Sequence, residues 1–321
     1  MKNEILYKNF LEELRKKIPL SAKLTNKLVE LLFIEKEAVY RRLRGEVPFT
    51  FHEIATISKA LGISLDGIIG VEISTNRPFQ LKMVEFVHPY EVDYEMIEQL
   101  MILLHNTKYA QYSEISEASN VLPHSLFMKF QILSRFHFFK WDYHHNPLNG
   151  NKTFKEFHLT DRIMKLQTKH YIEAKNVLHT FYIWDFQIFH YLVNDIHFFK
   201  SIRLLEDDDV LFIKEDLIRF LDYIEVLTLT GKFEETGNNV YIYISDVNIE
   251  SGYSYLEIDN YHVSLIKTFI LNTFTSLDEK TFENVKNWIQ SLKRVSTMIT
   301  ISGEKQRTSF FQKQREIVGQ L

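Results

Sequence analysis

Arg41, Arg42 and Arg44 fall within four positions of one another. A guanidinium offers a planar, rigid fork of donors, suited to phosphate oxygens, carboxylates and the acceptor edge of guanine. Thirteen histidines invite a metal reading, and His144-His145 beside Asp142 is the densest cluster. Neighbours in a regular element point apart, however, and no second pair follows at ligand spacing, so no metal is expected. His190 and His197, seven positions apart, fit a packed or half-buried helix face. Asp207-Asp208-Asp209 has two readings: a cation site, or a helix amino terminus, where negative charge is favoured. Phe181, Tyr182, Trp184, Phe186, Phe189 and Tyr191 could line an apolar ligand pocket, fill a core or build a dimer interface. The chain has no cysteine, so thiolate metal sites, disulfides and cysteine nucleophiles are excluded. It also lacks G-x-G-x-x-G, P-loop, H-E-x-x-H, G-x-S-x-G and EF-hand patterns. No catalytic residue and no cofactor is therefore expected, and the chain is not read as an enzyme.

The secondary structure behind these groups divides along the chain. With 321 residues, two domains are expected. An apolar content of 45% and a charged content of 25% belong to an ordinary globular protein, which excludes wholesale disorder and a coiled-coil rod. No run approaches the roughly 18 apolar residues of a membrane span. The first 17 residues alternate charge with apolar side chains and do not read as a signal peptide, so a cytoplasmic location with no membrane partner is expected. Residues 1–70 carry 12 Lys and Arg against 9 Asp and Glu, whereas residues 71–321 carry 26 against 33. A basic amino-terminal module on an acidic body is the charge distribution of a tethered DNA-binding domain, and equally of a modest chance excess. Ile73-Ser74-Thr75-Asn76-Arg77-Pro78 is the first polar stretch containing a breaker. It places a linker at residues 73–80, between a domain of residues 1–72 and one of residues 81–321.

Five short helices are expected in the first domain. Ile5, Leu6, Phe10, Leu11 and Leu14 keep helical spacing up to Pro19. Leu24, Leu28, Leu31 and Leu32 mark a second helix, with Ser21 as its expected N-cap. A third runs from Glu35 to Leu43, with Val39 and Leu43 inward and Lys36, Glu37, Tyr40, Arg41 and Arg44 outward. Gly45 follows, where a left-handed cap is usual. Thr50-Phe51-His52-Glu53 spells a capping box, with Phe49 and Ile54 spaced for a hydrophobic staple. That fourth helix ends at Gly62, and Ser64 opens a last one through Leu65, Ile68 and Ile69.

The stretch from Leu28 to Gly45, LVELLFIEKEAVYRRLRG, resembles the lambda-repressor-like helix-turn-helix of Cro and phage repressors, the XRE type. Pro48 and residues 55–66, ATISKALGISLD, extend the likeness, and Leu28, Val39, Gly45, Leu61, Gly62, Ser64, Leu65 and Asp66 fit its pattern. The similarity spans about residues 20–70. It implies that residues 35–44 form a recognition helix entering the major groove of double-stranded DNA. By position, Lys36, Glu37, Tyr40 and Arg41 would face base edges, and Arg41 could pair bidentately with guanine. Lys23, Lys27, Arg44, the Gly45 amide and Thr50 would meet phosphate. Three positions depart from the pattern. Phe33 stands where the turn often has glycine, Glu35 replaces the usual Ser or Thr cap, and Glu37 could accept only from a cytosine amino group. The implied function is sequence-specific transcriptional regulation by a homodimer, with the second domain dimerising or sensing a small-molecule or protein effector. The alternative is a protein-interaction adaptor whose helix-turn-helix does not touch nucleic acid.

The body reads as mainly helical through residue 230. The expected helices include Ser113–Asn120, one running on from Pro123 through His137, Ile163–Ala174 capped at Thr160, and Phe181–Phe199. Beyond Gly231 the period changes to alternation. Residues 240–244, 253–258 and 262–269 are expected to pair as a three-stranded antiparallel meander. The expected fold is an all-α helix-turn-helix domain of five short helices, followed by a larger α+β domain with a small antiparallel sheet.

Overall fold

A computed structural model describes residues 2–63, 65, 68, 80–82, 84–146 and 152–321. The chain divides into two compact units, Met1–Pro78 and Phe79–Leu321. The linker expected at residues 73–80 lies outside the described residues, apart from Gln80. So does most of the fifth helix expected from Ser64, including Asp66.

Unit 1 contains α1 (Lys2–Lys17), α2 (Ser21–Leu32), α3 (Lys36–Leu43) and α4 (Phe51–Leu61). Their apolar stripes meet in one core of Phe10, Leu11, Leu14, Leu24, Leu28, Val39, Phe49, Ile57, Ile63 and Ile68. Leu20, not Ser21, is the N-cap of α2; Ser21 is the first helical residue and its carbonyl accepts from the Thr25 hydroxyl. The capping box of α4 is formed in both directions: the Thr50 amide donates to Glu53 (2.7 Å), and the Glu53 amide donates to Thr50 Oγ1 (3.3 Å).

Unit 2 is where the expected fold class fails. Among the described residues it holds an eight-stranded mixed sheet instead of a small antiparallel one. The strands are β1 (Gln80–Lys82), β2 (Ser113–Ser119), β3 (His179–Asp185), β4 (Asn239–Ser245), β5 (Tyr253–Ile258), β6 (Tyr261–Thr268), β7 (Asn272–Ser276) and β8 (Ser296–Met298), in the order β1-β7-β6-β5-β2-β3-β4-β8. Strands β2, β3 and β4 run parallel, with Glu117 opposite Tyr182 and Tyr182 opposite Ile242. The expected meander is therefore wrong at β4, which pairs with β3 and β8; β5, β6 and β7 do form antiparallel hairpins.

The expected helix Ser113–Asn120 is a strand, and the expected helix Phe181–Phe199 is a strand up to Asp185 and helical only from Ile188. Ser113–Ser119, SEISEAS, has one aliphatic side chain larger than alanine, so its alternation is nearly silent, yet it is covered on both faces. Within His179–Asp185, residues 181–184 are an unbroken apolar run, as expected of a buried parallel strand, and only two residues separate the strand from the next helix. Such a run cannot be told from a buried helix by period alone.

Helix α5 (Glu91–Asn106) precedes β2. The parallel crossovers carry α6 (His124–Phe127), α7 (Gln131–His145) and α8 (Asp161–Glu173) between β2 and β3, and α9 (Ile188–Ser201) and α10 (Asp207–Thr230) between β3 and β4, with α11 (Glu279–Arg294) and α12 (Glu304–Gly319) following the antiparallel strands. The single helix expected to run on from Pro123 is instead two, α6 and α7. The main core joins Phe136, Phe139, Trp184, Phe189, Phe220 and Phe311 with the Val240–Ile244 face of β4. A smaller core on the opposite sheet face packs Ala118, Ile183 and Tyr255 against Phe282, Ile289 and Leu292 of α11.

Candidate functional site

In unit 1, α2 and α3 are joined by Phe33, Ile34 and Glu35. Phe33 takes up the left-handed conformation (φ 52°, ψ 40°), and its amide donates to Val29 O, so the turn forms without glycine. The Phe33 ring is 92% exposed, which puts an aromatic side chain on the outside of the turn. Glu35 is the N-cap of α3, but its carboxylate makes no capping hydrogen bond. At the other end of the helix the Gly45 amide donates to Arg42 O (3.0 Å) and the Glu46 amide to Arg41 O (3.0 Å), with Gly45 at φ 79°. This paired closure needs a left-handed residue, and it occupies the Gly45 amide.

Val39 anchors α3 to the core, and Lys36, Glu37, Arg41 and Arg44 lie exposed on its other side, with Tyr40 half-buried. Lys23 and Lys27 are exposed on α2, and Thr50 is exposed at the start of α4. The predicted contact residues thus share the outside of unit 1. The Thr50 amide is taken by Glu53; its hydroxyl, although it accepts from the Glu53 amide, still has a proton to donate.

The three arginines separate into two kinds. Arg42 turns inward and pairs with Glu53 (2.9 Å), both side chains being mostly covered, at 17% and 13% exposure. Glu53 therefore serves the α4 cap and the α3–α4 junction together, and its carboxyl is held below the ordinary range by those bonds despite partial burial. Tyr7 completes the junction by donating to Arg42 O (3.0 Å) and accepting from the Phe49 amide (3.2 Å). Arg41 and Arg44 turn outward. Arg44 Nε lies 2.6 Å from Glu46 and its Nη2 3.4 Å from Glu37, while Arg41 Nε lies 3.6 Å from Glu46. The hydrogen bond to Arg44 lowers the Glu46 pKa and raises that of Arg44. Pairs this exposed are weak and screened by salt, so phosphate can compete for the same guanidinium groups.

Comparison of the chain with family models, with curated proteins and with solved structures finds no match.

Sequence reasoning overlooked the acids that hold the arginines. Glu46 follows Arg44 by two residues, and Glu53 carries a second bond beyond the capping box; an acid just past a basic helix end is the signal for the first. In unit 2 the groups singled out from sequence are scattered. His145 stacks on Trp141 (centroids 4.3 Å apart), and among the described residues no three His, Asp or Glu side chains gather as a metal site. His190 and His197 are exposed. Asp207 pairs with Lys200, and Asp209 accepts from the Glu206 amide in the cap of α10. Of the six aromatics read as pocket, core or interface, Tyr182, Trp184 and Phe189 are core and Phe186 packs against it, Phe181 stacks on Tyr241 on the opposite sheet face, and Tyr182 also lines a cavity. Among the described residues no helix is long and apolar enough to cross a membrane.

Proposed function

We propose that the chain is a transcriptional regulator whose unit 1 binds double-stranded DNA, with α3 in the major groove. The observation that carries this reading is the face of α3: Lys36, Glu37, Arg41 and Arg44 are exposed side by side, on a helix held from behind by Val39 and joined to α2 by a three-residue turn. Its eight residues extend about 12 Å, a length that fits within a groove of similar width. Arg41 reads a base edge, Arg44 and the Thr50 hydroxyl hold phosphate, and Lys23 and Lys27 add charge from α2. One such module offers limited contact area, so the functional form in this reading is a homodimer, its two recognition helices about 34 Å apart. A cytoplasmic location goes with the same reading.

The experiment is a salt titration of binding to duplex, with wild type and Arg41→Ala. Phosphate contacts make log K fall steeply with log salt concentration. Arg41→Ala is expected to cost about 1–3 kcal/mol on the preferred site and less on random duplex. Equal losses on both would make Arg41 a positioning residue only.

The exposed Phe33 ring and the two acids Glu37 and Glu46 favour a second reading, an adaptor that contacts protein through the same turn and helix. Its signature is a flat salt response with duplex, coupled with loss of a protein partner on Phe33→Ser.

A further inference from the structure

Unit 2 encloses a cavity of about 560 Å³ between the sheet and helices α5, α6 and α8, within the size range of small-molecule sites. Most of its wall is aliphatic, with Met101 and Leu104 from α5 facing Leu256 and Val263 of the sheet. One region of the wall is polar and is organised by strand register. Glu117 on β2 lies opposite Tyr182 on β3 and Ser254 on β5. Lys267 Nζ reaches across from β6 to Glu117 (2.7 Å), both side chains being mostly covered. The Tyr182 hydroxyl pairs with Ser125 Oγ (2.8 Å), and His124 and His170 stand nearby. Two wall amides have unspent donors. Gln167 Oε1 accepts from Ser134, and Asn272 Oδ1 accepts from the Val84 amide, but Gln167 Nε2 and Asn272 Nδ2 have no partner. Each residue is at least nine-tenths buried. Leaving a buried donor unpaired is costly, so these two wall residues carry polar demand that their neighbours do not meet.

We propose that this cavity binds an uncharged, largely apolar small molecule bearing a carbonyl or hydroxyl oxygen at one end, the oxygen lying at the Tyr182–Ser125–His170 region. Charge decides against an acid. Lys267 is neutralised by Glu117, and a carboxylate would have to break that pair in an apolar wall. The imidazoles give no compensating cation: burial first, then the nearby Lys267, pushes His170 down to about 4 and lowers His124 as well. A neutral imidazole and a hydroxyl pair are partners for a neutral oxygen. The site stands on unit 2 alone, so it does not depend on whether unit 1 meets DNA.

The test titrates the full chain at neutral pH with Nile red, an uncharged dye carrying a ring carbonyl, and in parallel with cis-parinaric acid, an apolar monocarboxylate. Saturable one-to-one binding of Nile red with blue-shifted emission is expected, with weaker binding of the acid. Ile115→Trp puts bulk into the cavity from β2 and should weaken Nile red about tenfold with an unchanged circular dichroism spectrum. Leu166→Trp does the same from α8 and serves if the strand variant does not fold. Absence of saturable emission, or emission indifferent to a folded tryptophan variant, would overturn the site. Tighter binding of parinarate than of Nile red would overturn the uncharged class.

Discussion

Unit 1 and unit 2 keep their polar side chains in opposite places. In unit 1 an apolar core stands behind a surface on which Lys36, Arg41 and Arg44 are exposed, the two arginines paired with exposed acids. In unit 2, charged and polar groups are inside. Lys175 is 2% exposed, packs over the Tyr171 ring at 3.7 Å and pairs with Glu235. Asp216, equally buried, accepts from the amides of Ile132 (2.8 Å) and Leu133 (3.0 Å) and pairs with Arg219. The difference teaches where binding and stability can be separated. In the proposed reading, substitutions on the outer face of α3 change what unit 1 binds and leave its core intact, whereas polar substitutions in unit 2 act on folding first.

The largest effect follows from Asp216. Phe130, the N-cap of α7, makes no side-chain cap, and the helix start is satisfied from α10 instead. Asp216→Ala strands one buried and one half-buried N–H group and removes a helix cap, a loss of about 3 kcal/mol in denaturant unfolding. Asp216→Asn keeps an acceptor and should recover part of it. If the alanine variant unfolded like wild type, the buried polar groups of unit 2 would be no more structural than the exposed ones of unit 1.

Acid should weaken unit 2 next. His137 stacks on Phe127 at 4.1 Å, bonds Leu133 O through Nδ1 (2.9 Å), and is pushed down to about 3, mainly by burial. An unfolded chain protonates this histidine near 6.5, so below that pH the unfolded state binds the extra proton. The stabilising contribution is complete above 6.5 and is lost as pH falls toward 3. Between pH 6.5 and 5 the loss is about 2 kcal/mol for this residue, and His124 and His170 add to it with the same sign. Chemical denaturation of wild type and His137→Gln at both pH values measures it; the variant should lose less.

The same contrast governs what could be seen in the sequence. Unit 1 was legible because its signals are local. Thr50 and Glu53 are three apart, Gly45 follows the last turn of α3, and a helix stripe needs only its own period. Phe33 shows that even a strained position can be met without the expected glycine. In unit 2 the β5–β6 hairpin and the helix capped at Thr160 were legible, but the sheet order was not, because that organisation is long-range. Asp216 caps a helix 84 positions away. The polar end of the cavity draws on α6, α8, β2, β3 and β6, with no two of its groups at a spacing that announces a site. Ser113–Ser119 hides its strand period behind serine and glutamate, and His179–Asp185 hides its own in the apolar run of residues 181–184.

Within unit 1 the comparison sharpens to two arginines. Arg42→Ala removes the covered partner of Glu53 and should cost about 1–2 kcal/mol in thermal or denaturant unfolding, more than an exposed pair and less than a fully buried one. Arg44→Ala should leave stability unchanged, because its side chain is 55% exposed and its partners are solvated.

The smallest change is the most telling for the α3 face. Glu46→Gln removes the carboxylate nearest both Arg41 and Arg44 and leaves their positions on the helix untouched. Stability should not move, since the paired closure at the end of α3 uses the Glu46 amide and not its side chain. In wild type, however, a phosphate must displace Glu46 before it can take Arg44. In the variant it need not, and one repelling charge is gone. Affinity for random duplex should therefore rise a few-fold at low ionic strength, with the gain fading as salt screens both the pair and the phosphate. Fluorescence anisotropy across a salt series reads both. An affinity that stays put at every salt concentration would mean that phosphate never reaches these two guanidinium groups, and the outer face of α3 would belong to a protein partner.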